Sequence, residues 1–219
     1  MPEITTIGAL TGLAFVSGMR LYSTVLALGL GLRFRLIELP AALSHLDILA
    51  STPVLIIAGV VYVAEFVADK VPWVDSLWDS VHTFIRPLGA AVLGFAALGE
   101  VNPGLKVGAF LLCGTIALSS HSAKAGTRLA VNHSPEPFSN IGLSLLEDGL
   151  VVTGVWLAIA HPVAALVIVL VLVAIIVWFI PKLVRLIRRS ANTLGSFFAL
   201  RRPGAISSRT SGNSGRSAG

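Results

Sequence analysis

VAALVIVLVLVAIIVWFI, residues 163–180, sets eighteen apolar side chains in a row without one charge. A run of that length and composition reads as a helix crossing a bilayer. Its backbone groups bond within the segment, and its side chains match a hydrocarbon layer about 30 Å thick. The turn His161-Pro162 precedes it, and Lys182, Arg185, Arg188 and Arg189 follow. The whole chain agrees with this stretch. Of 219 residues, 55% are hydrophobic and 12% charged, against the roughly 25% charged residues of an ordinary soluble domain.

Five further apolar segments lie upstream, so six spans are expected: 4–32, 52–70, 78–99, 104–124, 141–160 and 163–181. The predicted fold is all-α, a polytopic transmembrane helix bundle of five to six spans. Residues 1–190 form the membrane domain, and 191–219 a basic, largely disordered cytoplasmic tail. Ile4–Leu32 is the ambiguous segment. Its 29 residues would reach about 43 Å as one helix. It therefore forms either a long tilted helix or two half-helices meeting at Ser17-Gly18. Residues 41–51 read as a loop or a short interfacial helix. Trp73–Arg86 reads as an amphipathic stretch at the headgroup level, and Leu88–Leu98 is too short to cross alone. Val131–Asn140 reads as a loop, with Ser139 or Asn140 capping the next helix.

Charge is distributed unevenly. Residues 1–180 carry eight Lys/Arg and eleven Asp/Glu, for −3; residues 181–219 carry eight basic residues and no acid, for +8. A basic tail after an apolar run marks a cytoplasmic end, which places the protein in the cytoplasmic (inner) membrane with its C-terminus inside. Six spans would then put the Arg33/Arg35 loop outside, against the same rule. A re-entrant hairpin over 4–32 removes that conflict and leaves five crossings. The tail lacks interleaved aromatics or a recognition motif, so nucleic acid is not an expected partner. Membrane lipids are, and a homo-oligomer is compatible with the sequence. Met1-Pro2-Glu3 offers no positive n-region, so no cleaved signal peptide is expected. Lone Cys113, within an apolar run, reads as a small buried hydrophobe.

Residues 13–20 can be laid over 117–124. Both are apolar helices interrupted by Ser or Gly and followed by a cation, Arg20 or Lys124. With three elements in each half, an inverted three-helix repeat with interrupted helices results, an architecture of secondary transporters.

The ionisable residues inside the spans are the functional candidates, since a charge at mid-membrane costs about 2.5–3.5 kcal/mol on insertion scales. Arg20 is far from both ends of its segment. It reads either as the cation of a structural ion pair with Glu65 or Glu147, or as a site for an anionic group helped by Ser17 and the Gly18 backbone. Glu65 and Asp69, four apart, would repel unless one holds a proton, which would suit proton coupling. Glu147-Asp148 point about 100° apart on a helix, so one can face a cavity while the other pairs with His121, Lys124 or Arg128. Asp75, Asp79, His82 and Arg86 form a polar stripe at helical spacing. It is either a solvated face with Asp79–His82 and His82–Arg86 contacts or a carboxylate/His metal site.

No nucleophile elbow, Walker A or GxGxxG sequence occurs, so no catalytic residue, metal ligand or cofactor is assigned. Ser17, Gly18, Arg20, Glu65, Asp69, Lys124, Glu147 and Asp148 are the expected substrate-binding set. The expected function is transport or flipping of a small anionic molecule or lipid. A non-catalytic scaffold or assembly factor and an intramembrane metal-dependent enzyme are the alternatives.

Ser17-Gly18-Met19-Arg20-Leu21-Tyr22, the run Glu65-Phe-Val-Ala-Asp69-Lys70-Val-Pro72-Trp-Val-Asp75-Ser-Leu-Trp78-Asp79, Arg86-Pro87, Ser134–Asn140 and Glu147-Asp148 together resemble the domain-of-unknown-function 4126 family of multi-span membrane proteins. The resemblance covers about residues 5–180 and leaves only the basic tail outside. It implies a fold class and a membrane location but no mechanism.

Overall fold

The computed structural model describes residues 2–131 and 137–200. The chain divides into two compact units, Met1–Trp178 and Phe179–Gly219. Seven α-helices and one 3₁₀ helix are found among the described residues: α1 (Pro2–Met19), α2 (Leu21–Arg33), the 3₁₀ helix Ala41–Ala50, α3 (Thr52–Ala68), α4 (Pro72–Ala97), α5 (Pro103–Val131), α6 (Pro137–Ala160) and α7 (Pro162–Leu200). The protein is an all-helical, polytopic bundle. Pro sits at the first turn of α3 and α4, where its missing N–H has no intrahelical partner to lose.

All six expected segments are helical, but they are not equivalent. Four windows are long and apolar enough to cross a membrane: Trp73–Ala97, Pro103–Arg128, Ile141–Ala160 and Pro162–Phe179. The 3₁₀ helix and α3, bent by 70° at Ser51, count as a fifth if taken together. The segment 4–32 is divided. The break falls at Arg20, whose extended backbone (φ −149°, ψ 93°) separates α1 from α2. The expected site, Ser17-Gly18, stays helical for a different reason. Gly18 is pressed against the α5 backbone at Ala117 and the Ser120 hydroxyl, where no Cβ would fit. Arg20 remains tied to both helices: its N–H donates to Val16 (2.9 Å), and its carbonyl accepts from Thr24 N–H (3.0 Å).

Three other boundaries differ from expectation. α4 is continuous from Pro72, so the stretch assigned to the headgroup level belongs to a span, and Leu88–Leu98 is its second half. α5 runs unbroken past Ser119–Lys124 to Val131, so the repeat lacks its second interruption. α6 starts at Pro137, ahead of the expected caps Ser139 and Asn140. The remainder of that loop and the tail from 201 onward, including Arg201, Arg202, Arg209 and Arg216, lie outside the described residues.

α1 packs against α4, α5 and α6, while α2 packs against α3, the 3₁₀ helix and α6. The α1 stripe Ala9, Leu10, Leu13, Ala14 and Val16 is buried. Gly12 meets Ala158 of α6, and Gly8 meets the Pro162 backbone, each without room for a Cβ. Small residues at crossings let backbones approach where lipid is as apolar as the protein interior. The outward faces are apolar: Val60, Phe84, Leu111, Leu145 and Leu170 are all exposed. An apolar exterior around a polar interior is what a lipid solvent selects.

Candidate functional site

One turn beyond the apolar part of α1, the interior changes from hydrocarbon to charge. Arg20, Glu65, Asp69, Asp75, Asp79, Arg86, Lys124, Arg128 and Glu147 are all buried, and Asp148 lies at their edge. Arg20 enters because its extended backbone turns the side chain in at the α1/α2 junction. α3 supplies Glu65 from its last turn and Asp69 from its C-cap, and α4 the row Asp75, Asp79, His82 and Arg86. α5 adds His121, Lys124 and Arg128, and α6 adds Ser144, Glu147 and Asp148. Spacings of three, four or seven bring most of these side chains to one face of each helix, while adjacent Glu147 and Asp148 diverge by about 100°.

Three arginines hold the carboxylates. Arg20 donates to Asp69 Oδ2 through Nη2 and reaches Asp148 Oδ1 through Nη1 at 2.7 Å. Its Nε stands 3.6 Å from Glu65 and 3.9 Å from Glu147. Arg86 donates to Glu65 Oε1 (2.7 Å) and Asp79 Oδ1 (3.1 Å). Arg128 grips Glu147 side-on, Nε to Oε1 at 3.2 Å and Nη2 to Oε2 at 2.9 Å, and lies 3.8 Å from Asp75. Such two-pronged pairs suit the planar guanidinium fork. Lys124 Nζ is less tightly engaged, 3.3 Å from Glu147 and 3.7 Å from Glu65.

Neutral groups extend the network. Ser144 Oγ accepts from Arg128 (2.9 Å) and donates to Asp69 (3.1 Å). Tyr62 and Ser23 donate to the two oxygens of Asp148, at 2.9 and 3.1 Å. An arginine cannot accept a hydrogen bond. The 2.9 Å contact of Arg86 with His121 Nδ1 therefore makes that nitrogen the acceptor and the imidazole neutral. Its Nε2–H then donates to Thr83 Oγ1 (3.0 Å), whose own proton goes to the Asp79 carbonyl (2.9 Å).

The structure thus brings together Arg20, Glu65, Asp69, Lys124, Glu147 and Asp148. Both partners expected for Arg20 lie within 4 Å, although Asp69 and Asp148 bind it more closely. Ser17 is buried one turn away, with no hydrogen-bond partner for Oγ among the described residues, and Gly18 serves as a packing contact on α5. Within the stripe, the pair formed is Asp79–Arg86. His82 donates Nδ1–H to the Trp78 carbonyl (2.8 Å) and stacks on that indole. Among the described residues no three His, Cys, Asp or Glu side chains gather as a metal ion would require. Arg128, Ser144, Tyr62, Ser23 and Thr83 complete the site beyond the expected set. Arg128 had a sequence signal, its place four residues after Lys124; Tyr62 and Ser144 lie one turn before Glu65 and Glu147.

A cavity of about 530 Å³ opens beside this network between α1, α5, α6 and the first part of α7. Its walls are apolar, with Phe15, Leu146, Leu150 and Ile168 prominent, and Lys124 and Glu147 line it.

The model of the family "Domain of unknown function (DUF4126)" matches residues 7–182. The chain belongs to this family. The match takes in every helix that contributes to the charged network, so the network lies wholly within the DUF4126 region. Neither a search of curated proteins nor one of solved structures returns a match.

Proposed function

We propose that this DUF4126 protein is a membrane carrier that moves an amphiphilic molecule, a lipid or lipid-like anion, across or between the leaflets. The observation that carries this reading is the groove ending on the buried network. Its 530 Å³ fall within the roughly 300–1,000 Å³ of small-molecule sites. Apolar walls suit a chain, and among the four cations of the network Lys124 lines the groove. Lys124 is also the cation whose closest ion pair, 3.3 Å to Glu147, is longer than that of any of the three arginines, so an anionic head can compete for it at least cost. Arg20 is enclosed by four carboxylates, so its role in this reading is to hold the frame, while Lys124 meets the head.

The test is lipid translocation by the purified full chain in vesicles carrying a fluorescent lipid. Ala123→Trp fills the groove without altering charge. We expect it, like Lys124→Gln, to slow chain-dependent translocation at least about tenfold, equivalent to roughly 1.4 kcal/mol on the barrier. Translocation equal to that of protein-free vesicles, or unchanged by Ala123→Trp, overturns the reading.

A second reading, a membrane scaffold, is favoured by one observation: each cation of the network already touches a carboxylate. It predicts that swapping Glu65 and Arg86 restores the folding that either single change abolishes, with no translocation. We further place the chain in the cytoplasmic membrane with its C-terminus inside, on the basic residues that follow the span Pro162–Phe179. Protease accessibility of a C-terminal tag in sealed vesicles checks this.

A further inference from the structure

The groove between α1, α5, α6 and α7 has two unlike ends. Lys124 and Glu147 line one of them. Arg128 grips Glu147 with two hydrogen bonds, the shorter at 2.9 Å, while Lys124 stands 3.3 Å from it, so of the two Lys124 is the group a ligand can engage. The other end is closed. Gly12 of α1 meets Ala158 of α6 and Ala165 of α7 at distances that leave no room for a Cβ, and Leu157 and Ala165 form the last of the walls.

Length and volume together decide what fits. Leu157 follows Glu147 by ten residues on α6, and Ile176 follows Ala165 by eleven on α7. At 1.5 Å per residue the groove is about 15 Å long. An extended alkyl chain advances about 1.25 Å per carbon, from C–C bonds near 1.5 Å at tetrahedral angles, so about twelve carbons fill that length. The cavity of about 530 Å³ holds about eighteen non-hydrogen atoms at about 30 Å³ for each water-sized group. One chain takes about twelve of these and leaves about six, room enough for a carboxylate or a phosphate. A second chain on the same head finds no space.

We propose that the carried molecule has a single tail of about twelve carbons and a compact oxyanion head, with the head at Lys124 and the methyl end against Gly12 and Ala165. This rests on the carrier reading, which makes the groove the substrate's path, and narrows it from lipids at large to single-chain anions. The head end lies near one membrane face. Lys124 is one turn from Arg128, where the α5 span ends, and Ile176 is one turn from Phe179, where that of α7 ends. A molecule bound there stands upright, as lipid tails do, and enters through the long side, where Leu150 and Ile168 are exposed.

The test is equilibrium dialysis of radiolabelled dodecanoate against the full chain in nanodiscs at mildly alkaline pH, with empty nanodiscs as the blank. One saturable site per chain is expected. Ile168→Trp, at an exposed wall position one turn from Ala165, shortens the groove by about 4.5 Å. It should weaken dodecanoate at least about tenfold, the worth of two buried methylenes, and leave octanoate, which ends short of that turn, unchanged. Leu157→Trp on α6 must do the same, so a single misfolded variant does not decide the matter. Lys124→Gln should weaken dodecanoate and leave uncharged dodecanol unaffected. Dodecyl phosphate separates the two heads: the tighter of the two dodecyl anions names the oxyanion. A phosphatidate with two dodecanoyl tails is expected not to displace either. Absence of saturable binding by both dodecyl anions, equal loss of octanoate and dodecanoate in Ile168→Trp, or displacement by the two-tailed lipid overturns the inference. Translocation of a two-tailed fluorescent lipid without binding of either dodecyl anion overturns it too, while the carrier reading stands. Saturable dodecanoate binding without translocation of any probe supports the single-tail site and overturns the carrier.

Discussion

The two ends of the segment around α1 solve opposite problems. From Ala9 to Val16 the helix is held by close approach: Gly8, Gly12 and Gly18 let α5, α6 and the α7 entrance come near, and no specific partner chemistry is involved. Around Arg20 the interactions are all chemistry, with four carboxylates from α3 and α6 on one guanidinium. The apolar layer tolerates any residue of suitable size. In the charged layer, removing one partner of a tight pair leaves a buried ion of opposite sign behind, at a cost that grows with how closely the pair is held.

The sharpest way to break that contrast is Arg20→Leu. It takes the nearest cation from Asp69 and Asp148, leaving the first to Arg128 and Ser144 and the second to Tyr62 and Ser23, and we expect about 3–5 kcal/mol of destabilisation, read as a lower thermal midpoint in detergent. Arg86→Lys keeps the charge but not the fork that joins Glu65, Asp79 and His121. A loss of about 1.5–3 kcal/mol is expected, the worth of a hydrogen bond to a charged group. Gly18→Ala probes the packing layer at the α5 crossing. About 1–3 kcal/mol of overpacking cost is expected, with no change in salt or pH response if that layer is purely steric. Leu170→Ala, on the outward face of α7, should change stability by less than about 0.5 kcal/mol, because lipid chains fill the space the side chain vacates. A Leu170 effect as large as that of Gly18 would mean that this outward face is buried against another protein.

Much of the site is legible in the sequence, for a physical reason. A charge inside a twenty-residue apolar run is conspicuous, and helical spacing alone puts His121, Lys124 and Arg128 on one face. Glu147 meets Lys124 and Arg128 as expected, while Asp148 turns the other way, to Arg20 and Tyr62. The amphipathic stretch of α4 is harder to read. Alternating polar and apolar residues look the same whether the polar side faces headgroups or a charged interior, and only the arrival of Glu65 and His121 decides it. The break is hidden for a similar reason: Ser17-Gly18 has the composition of an interruption, but packing on Ala117 uses the glycine for approach, and the arginine takes the strain-free extended backbone.

By itself the sequence determined the solvent and the set of costly residues. Eighteen uninterrupted apolar side chains and scarce charge specify hydrocarbon, and period and length specify helices. Only the tertiary structure decided who pairs with whom. Arg20 and Asp69 are 49 residues apart, and Ser23 and Asp148 are 125 apart. Local spacing fixes which face a side chain occupies, but it says nothing of which distant face will meet it. That choice is made by the small-residue crossings of α1, which set the depth at which four helices bring their charges to one level.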